Sequence, residues 1–307
     1  MGVLEGRVVI VTGGGNGIGR AVALIAASEG AKVLVNDLGG GPRGGDEGSS
    51  GPAEAVAEEI RRRGGQAISN SHSITDYEAV VDMREQALTT FGGLHAVINP
   101  AGILRDGMFH KMSGADWNIV VDVHLRGAYN ICRATIEHFR EQKDGAYVLF
   151  SSTSGLIGNL GQTNYGAAKM GVAGLSRILA LEGALKNVRC NALAPVAWTR
   201  LVAAVPNHAD AAVSEAQMAE LMPIESPARL AVALASPAAS AISGQIFAVQ
   251  GDDISVMSQI RPIDFREKPG GWTVDSIIQE ALTELSSSFT PLSDGMGQTT
   301  RPISAVL

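Results

Sequence analysis

The sequence predicts an α/β protein of the doubly wound type, in which a parallel sheet lies between two layers of helices. Short runs of β-branched residues alternate with longer amphipathic segments along most of the 307 residues. The strand candidates are continuously apolar, which is typical of strands buried on both faces of a sheet. With 45% hydrophobic residues, the chain can bury a core of the size that this arrangement requires.

The individual elements follow from these patterns in chain order. Clusters of β-branched residues predict strands at residues 7–11, 31–35, 66–70, 96–99, 147–150, 188–191 and 245–249. Helical spacing of apolar residues predicts helices at 17–29, 52–63, 76–91, 116–142, 164–184 and 226–234. A glycine-rich segment at 39–51 is too polar for the core and is predicted to be a flexible loop.

The chain is predicted to form a single domain with a C-terminal extension. No internal repeat is present, and no domain boundary is evident before residue 251, so the domain is assigned to residues 1–251. Residues 252–307 contain recurring large apolar side chains, which is not typical of a disordered tail, and a helix is predicted near 274–286. We expect this extension to pack on the core or on a neighbouring subunit, as a structural clamp or as part of an elongated substrate site.

Charge and cysteine content exclude several classes of function. The net charge is −7, and the basic cluster Arg61-Arg62-Arg63 lies at the end of a predicted helix, where cations stabilise the helix dipole. Nucleic acid and anionic membranes are therefore not expected as partners. Two cysteines and the lack of an apolar run of about 18 residues indicate a protein without disulfides, secretion signal or membrane span. We expect a cytoplasmic location, and no metal site is predicted.

A dinucleotide site is predicted after the first strand, where the sequence reads Thr12-Gly-Gly-Gly-Asn-Gly-Ile-Gly19. Glycines permit a sharp turn and the close approach of a pyrophosphate, and the N-terminus of the following helix offers free N–H groups. Asp37 follows the second strand, where a carboxylate can accept hydrogen bonds from ribose hydroxyls and repel a 2′-phosphate. Asn16 stands where a cation would help to bind that phosphate. The sequence therefore favours NAD over NADP, and Arg43 is the residue that could reverse the preference.

Ser152, Tyr165 and Lys169 form the candidate catalytic group. Tyr165 and Lys169 are four residues apart on a predicted helix and therefore project from the same face. The ordinary pKa of a phenol is about 10, and a neighbouring cation favours the phenolate. Ser152 can hold a reacting oxygen through a hydrogen bond. Together these groups suit proton transfer to or from an alcohol or carbonyl oxygen.

The order and spacing of these motifs resemble the classical short-chain dehydrogenase/reductases. The resemblance is carried by the glycine turn, by Asn99-Pro-Ala-Gly102, by Ser152 and by Tyr165-x-x-x-Lys169. It implies a Rossmann-type fold and a nicotinamide-dependent oxidoreductase. A narrower likeness, in residues 35–39, 101–106, 123–127 and 161–165 and in the extension, is to the (3R)-hydroxyacyl-CoA dehydrogenase units of peroxisomal multifunctional enzymes of type 2 and their bacterial relatives.

The resemblance implies a role for each matching residue. Tyr165 would exchange a proton with the substrate, and Ser152 would orient the substrate oxygen. Lys169 would lower the pKa of Tyr165 and bind the nicotinamide ribose. The implied cofactor-binding residues are Gly13, Asn16, Gly17, Ile18, Gly19, Asp37, Ser73, Ile74, Asn99, Pro100, Ala101, Gly102, Tyr165, Lys169, Pro195, Val196, Ala197 and Thr199.

Four positions depart from the usual pattern of the family. His124 stands where most relatives have an asparagine that supports a proton-relay water, so it either joins the relay or binds backbone as a structural residue. His72 replaces an aspartate that commonly contacts the adenine. Pro100 and Val196 replace an asparagine and a glycine, which removes side-chain contacts but leaves the backbone contacts.

The substrate is expected to be hydrophobic, because the segment that corresponds to the substrate lid, residues 201–227, is rich in apolar residues. Its proposed contacts are Trp198, Pro206, Met218, Met222 and Pro223. Weaker candidates for the mouth of the site are Met108, Phe109, Met112 and Trp117. Candidates for binding a CoA phosphate are Arg105, Lys111 and Arg200.

We predict an NAD-dependent enzyme that interconverts a secondary alcohol and a ketone on a 3-hydroxyacyl-CoA or a hydroxysteroid-type lipid. The alternatives are an NADPH-dependent carbonyl or 3-oxoacyl reductase and a non-catalytic NAD-binding relative. A homodimer or homotetramer is expected through the helices at 116–142 and 164–184. The small residues Ala168, Gly171, Val172 and Leu175 would permit close helix packing, either between subunits or within one.

Overall fold

The computed structural model describes residues 2–203 and 214–290, and its strands form one eight-stranded sheet. The strands are β1 (Val8–Val11), β2 (Lys32–Asn36), β3 (Gln66–Asn70), β4 (Ala96–Asn99), β5 (Gly145–Phe150), β6 (Val188–Val196), β7 (Ile246–Gln250) and β8 (Asp253–Val256). Their order is β3-β2-β1-β4-β5-β6-β7-β8, with β1 to β7 parallel and β8 antiparallel to β7. The predicted Rossmann-type doubly wound fold is confirmed.

Helices cover both faces of this sheet. The α-helices are α1 (Gly17–Ser28), α2 (Gly51–Arg62), α3 (Tyr77–Phe91), α4 (Gly114–Val121), α5 (Gly127–Gln142), α6 (Thr153–Leu156), α7 (Thr163–Gly183), α8 (Arg200–Ala203), α9 (Glu215–Leu221), α10 (Glu225–Ala235), α11 (Val274–Ser276) and α12 (Leu282–Leu285). Short π-helical turns join α4 to α5 and α11 to α12. No described helix combines the length and the hydropathy that a membrane crossing requires.

The core has two halves because successive side chains of a strand point to opposite faces of the sheet. In β1, Val9 and Val11 belong to the apolar cluster that includes α1, α2 and α10. Val8 and Ile10 belong to the cluster on the other face, with α3, α5 and α7. Both faces of each central strand are thus buried, which explains the continuously apolar strand sequences.

Two core elements differ from their predicted bounds. The helix predicted at 116–142 is divided by the π-helical turn Asp122–Arg126, which contains one residue more than an α-helical turn accommodates. Apolar residues continue on both sides of this turn, so the sequence pattern does not reveal it. Strand β6 was predicted to end at the polar residue Asn191, but it continues to Val196. Its backbone pairs with β7 from Ala192 onward, and this pairing continues past Pro195.

Strand β8 was not predicted and lies in the segment assigned to the extension. The chain turns at Gly251, whose φ of 52° favours glycine, and returns so that Asp253 pairs with Gln250 and Val256 with Phe247. The strand has only four residues, and its Ile254 is exposed. The alternation of apolar and polar residues is therefore too short to predict a strand from the sequence. The extension therefore begins as an edge strand of the main sheet.

Beyond β8, the described residues of the extension are bound mainly to one another. The Arg266 guanidinium lies 2.6 Å from Asp264 and 2.7 Å from Glu284, and Lys268 lies 2.7 Å from Glu280. Large side chains of this segment are exposed within the subunit at Ile260, Ile263, Phe265, Val274, Ile278 and Phe289. Packing of the extension on a neighbouring subunit therefore stays a prediction, and residues 291–307 lie outside the described part of the chain.

The small-residue face of α7 packs within the subunit. Ala168 and Val172 are buried, and a Cβ at Gly171 would lie 2.9 Å from the Leu125 side chain. Of the two roles left open for this face, the structure therefore shows the internal one. On its other side, α7 exposes Met170, Ile178 and Leu181.

We expect the full chain to have the mass of at least two subunits, because the exposed apolar residues of the extension need a partner surface. Truncation after Met257, which keeps β8, should reduce that mass or lower the Tm. Light scattering at micromolar concentration and thermal unfolding measure both quantities. A full-length mass near 31.8 kDa would contradict the expected assembly, and a truncated chain with unchanged mass and Tm would contradict the role of the extension.

Candidate active site

The strand order reverses at β1, because the chain passes from β1 outward to β2 and β3 and then returns to β4 on the other side. The carboxyl ends of parallel strands at such a switch point leave a crevice, where open α/β proteins bind ligands. A cavity of about 1210 Å³ lies at this edge. Its wall is formed by the segments that follow β1 to β6.

The glycine turn between β1 and α1 forms the floor of the cavity. A Cβ at Gly19 would lie 2.0 Å from the Gly13 carbonyl oxygen, so the turn closes only with glycine there. Gly13 and Gly17 have φ angles of 59° and 49°. No acidic residue lies in the first turn of α1, so its N–H groups and positive dipole end are compatible with an anion. Asn16, Ile18 and both ends of the turn line the cavity, which fits a pyrophosphate.

Asp37 is fixed at the wall of the cavity directly after β2. Its Oδ2 accepts a hydrogen bond from the Gly15 N–H at 2.9 Å, and its Oδ1 accepts one from the Gly39 N–H at 2.7 Å. The carboxylate therefore has one orientation relative to the glycine turn. Arg43, the residue that could favour NADP, does not line the cavity.

The segment after β4 is bound to the glycine turn. Thr12 Oγ1 donates a hydrogen bond to Asn99 Oδ1, and the Thr12 N–H donates to Ile98 O at 3.1 Å. Asn99 is thereby buried behind the cavity and does not line it, whereas residues 100–102 do. Asn99 thus holds the wall in place rather than forming it.

The segment after β3 contributes His72, Ser73 and Ile74 to the wall. His72 Nδ1 lies 3.0 Å from Ala79 O, so the ring is directed toward the backbone of α3. At the other end, after β6, Pro195, Val196, Ala197 and Thr199 line the cavity. The predicted cofactor-binding residues, apart from Asn99, therefore border one continuous space.

Ser152, Tyr165 and Lys169 border the same cavity, from the end of β5 and from the first turns of α7. Lys169 is 4% exposed, and its Nζ donates to Phe150 O at 2.6 Å. The ammonium lies 5.5 Å from the centroid of the Tyr165 ring. Ser152 caps α6 by accepting a hydrogen bond from the Ser154 N–H at 3.2 Å.

Burial controls the ionisation of these groups. It raises the pKa of Tyr165 to about 12, and a hydrogen bond with Ser152 acts in the opposite direction. Burial also lowers the pKa of Lys169 to about 7. We predicted from sequence that Lys169 brings the pKa of Tyr165 toward neutrality. In the structure, loss of water around the phenol is the main influence on its pKa, so the effect of Lys169 on Tyr165 stays a prediction.

His124 lies in the π-helical turn and is buried against the ring of Tyr165. The ring centroids are 5.0 Å apart and nearly perpendicular. His124 Nε2 lies 2.8 Å from Ile103 O and 3.2 Å from Ile103 N, so the backbone of this one residue can bind the ring in either tautomer. Burial lowers the pKa of the ring well below its ordinary value, and the buried Nδ1 has no hydrogen-bond partner among the described residues.

The apolar part of the wall comes from the segments after β4, β5 and β6. Met218 and Met222 are buried and line the cavity, together with Leu201 and Val202. Trp198, Met108, Phe109, Met112 and Trp117 do not line it. Pro206 and the rest of residues 204–213 lie outside the described part of the chain.

Of the proposed phosphate-binding cations, Arg105 is already engaged. Its Nη1 lies 2.9 Å from Asp116 Oδ1, its Nε donates to Arg43 O at 2.8 Å, and its Nη2 donates to Gly44 O at 3.0 Å. Lys111 does not line the cavity, and Arg200 does. Arg200 therefore has the best position of the three for an anionic substrate group.

Two parts of the wall were not predicted from the sequence. The glycine-rich loop at 39–51 was predicted to be flexible, but the Arg105 side chain binds it, and the Leu104 N–H donates to Pro42 O at 3.0 Å, so that the loop borders the cavity. Asp106 also lines the cavity and lies close enough to Tyr165 to raise its pKa. A polar loop and a single aspartate carry no signal of such placement, because both depend on long-range contacts.

Known proteins resemble this chain in sequence and in structure. The family model described as short chain dehydrogenase matches residues 7–208. The peroxisomal multifunctional enzyme type 2 of Mus musculus is 48% identical over 201 residues, which are 66% of this chain and 27% of that enzyme. The matched region is thus about a quarter of the mouse enzyme's length.

Two solved structures extend the comparison to the fold. A short chain dehydrogenase from Mycobacterium avium has a TM-score of 0.83 and 35% identity, and the match covers 96% of this chain and 99% of that one. A 7α-hydroxysteroid dehydrogenase in complex with NADH and 7-oxo glycochenodeoxycholic acid has a TM-score of 0.70 and 28% identity, over 81% of this chain and 94% of that one. With the glycine turn, the pair of Tyr165 and Lys169 and these matches on the same fold, the chain belongs to the short-chain dehydrogenase family of nicotinamide-dependent oxidoreductases.

Proposed function

We propose that the protein is an NAD-dependent dehydrogenase that interconverts a secondary alcohol and a ketone on a 3-hydroxyacyl-CoA or a hydroxysteroid-type lipid. The observation that carries the proposal is the meeting of Ser152, Tyr165 and Lys169 with the glycine turn and Asp37 around one cavity. A protein that only binds NAD has no need of the first three groups.

The chemistry of the proposed reaction follows from these side chains. The glycine turn and residues 195–199 would hold the cofactor, which would provide the hydride acceptor for alcohol oxidation. Ser152 holds the substrate oxygen by a hydrogen bond while Tyr165 takes its proton. The ammonium of Lys169 stabilises the phenolate, which offsets the burial that raises the pKa of Tyr165 to about 12. In carbonyl reduction the same phenol donates the proton.

Several features support a hydrophobic substrate. Met218, Met222, Leu201 and Val202 line the part of the cavity that follows β6. The mouse relative is named a peroxisomal multifunctional enzyme, and the related hydroxysteroid dehydrogenase holds a bile-acid derivative. An assay of NAD reduction with (3R)-3-hydroxyacyl-CoA thioesters and with hydroxysteroids separates the two substrate classes. A cytoplasmic location is part of the proposal, and cell fractionation tests it.

We propose further that His124 takes part in proton transfer. The buried Nδ1 has no hydrogen-bond partner among the described residues, and the charge of Lys169 contributes to lowering the pKa of the ring. Both side chains border the same cavity, where a proton could pass between them. The alternative role is packing alone, since the ring also fills the space beside Gly102, where a Cβ would lie 2.3 Å from its Cε1.

Tyr165→Phe is expected to abolish turnover while leaving the Kd for NAD within a few-fold of that of the wild type. The phenol is needed only for proton transfer, whereas the glycine turn and Asp37 bind the cofactor. Steady-state kinetics and a binding titration measure the two effects. Lys169→Ala is the comparison, because it should weaken both. A Tyr165→Phe variant that keeps more than a few per cent of kcat would refute the mechanism.

The wild type is expected to prefer NAD to NADP by at least about tenfold in Kd, which corresponds to roughly 1.4 kcal/mol. Asp37→Ser should remove much of this preference, because it eliminates both the ribose hydrogen bond and the repulsion of a 2′-phosphate. Arg43→Ser is the matched control, since Arg43 does not line the cavity. Equal Kd values for the two cofactors in the wild type would favour the NADPH-dependent reductase instead.

His124→Leu is expected to lower kcat by about tenfold to a hundredfold without changing the Kd for NAD, because an apolar side chain cannot pass on a proton. His124→Asn, with the residue usual in the family, should keep most of the activity. Wild-type kcat in His124→Leu, or equal losses in both variants, would assign the residue to packing alone.

A further inference from the structure

Asp106 and Tyr165 line the same cavity, and contacts between two loops bind Asp106 to the segment that leads into Tyr165. Gln162 Nε2 donates to Asp106 Oδ2 at 2.9 Å, and the Gly107 N–H donates to Gly161 O at 2.8 Å. On the other side, Asn164 Nδ2 donates to Arg105 O at 3.0 Å. The residues on both sides of Asp106 are thus bound to the segment that leads directly into Tyr165.

The amide of Gln162 has one orientation in this arrangement. Its Nε2 donates to Asp106, while its Oε1 accepts from Ser154 Oγ at 2.8 Å and from Asn159 Nδ2 at 3.0 Å. The side chain is itself buried. Asp106 therefore helps to fix the loop between Ser152 and Tyr165, and it is fixed by that loop in return.

The carboxylate of Asp106 is poorly compensated. Its Oδ1 is buried and has no hydrogen-bond partner among the described residues. The guanidinium of the preceding Arg105 is engaged with Asp116, and Arg43 acts on Asp106 only at a distance, as the weakest influence on its pKa. Burial raises the pKa of Asp106, but a phenol ionises at much higher pH, so the carboxylate is charged when Tyr165 titrates.

We propose that Asp106 is a positioning residue for the proposed reaction, which opposes Lys169 in setting how readily Tyr165 gives up its proton. The inference rests on the proposed function but concerns a property of the free protein. A fixed negative charge near a phenol disfavours the phenolate.

The charged and titratable groups around Tyr165 come from three elements. Lys169 shares its helix, His124 packs on its ring from the π-helical turn, and Asp106 faces it from the loop after β4. His124 is neutral because burial lowers its pKa well below the ordinary value. Near neutral pH, Asp106 and Lys169 are thus the charges of opposite sign around the phenol. At the high pH where Tyr165 itself titrates, Lys169 has lost its proton and Asp106 is the charge that remains.

Asp106→Asn removes the charge and keeps the shape. An asparagine Oδ1 can still accept the hydrogen bond from Gln162, so the loop contacts survive. The tyrosinate absorbance of each protein, after subtraction of that of the same protein with Tyr165→Phe, follows Tyr165 alone and needs no substrate. We expect Asp106→Asn to move this titration to lower pH by at least about half a unit. With an active substrate, the acid limb of kcat/KM for alcohol oxidation should move in the same direction.

Asp116→Asn is the matched control, because it removes a carboxylate from the same region, one that is paired with Arg105 and partly exposed. Its effect on the Tyr165 titration should be negligible. An unmoved titration in Asp106→Asn, or an equal shift in both variants, would overturn the inference, even if activity fell. If no alcohol is oxidised by the wild type but the titration moves only in Asp106→Asn, the proposed function fails and this inference stands.

Discussion

The site depends on the burial of an ammonium group. Lys169 is almost completely enclosed, and the carbonyl oxygen of Phe150 at 2.6 Å is its main hydrogen-bond acceptor. Ser151 Oγ donates to the Lys169 carbonyl at 2.8 Å, which ties α7 to the end of β5. A buried cation with so few acceptors loses its proton easily, and its pKa falls to about 7. The phenolate of Tyr165 would supply the missing counter-charge, so formation of the phenolate would favour the charged form of Lys169.

The packing of α7 against the end of β5 also fixes the positions of Ser152 and Tyr165 relative to each other. A Cβ at Gly155 would lie 2.7 Å from the backbone nitrogen of Met170, so the loop after Ser152 lies directly on α7. Gln162 closes that loop, and Asn164 binds the start of α7 to the segment after β4. Three segments that are distant in sequence therefore meet around one phenol, and movement of any of them changes the distance between Ser152 and Tyr165.

Much of this arrangement can be read from sequence, because it depends on local rules. Glycines in the turn, an acid after β2 and the spacing of Tyr165 and Lys169 each specify position through backbone geometry alone. The parts that could not be predicted depend on long-range contacts. Asn99 was predicted to bind the cofactor, but its side chain accepts a hydrogen bond from Thr12. Arg105 was a candidate for binding a phosphate, but it is bound to Asp116 and to the glycine-rich loop. The net ionisation of Tyr165 also depends on burial, which spacing does not report.

The π-helical turn between α4 and α5 separates the residues that border the cavity from the residues that pack in the core. One additional residue rotates the following side chains by about 100° around the helix axis. The residues of α4 that face the cavity and the residues of α5 that pack on the core therefore do not lie on one continuous helix face. Residues of α4 and the turn, including Ile119 and His124, border the cavity, whereas Ala128 and Ile131 of α5 lie in the core. Substitutions that change the cavity wall in α4 therefore need no compensating change in α5. This independence gives the fold a segment in which substrate preference can diverge while the core stays the same.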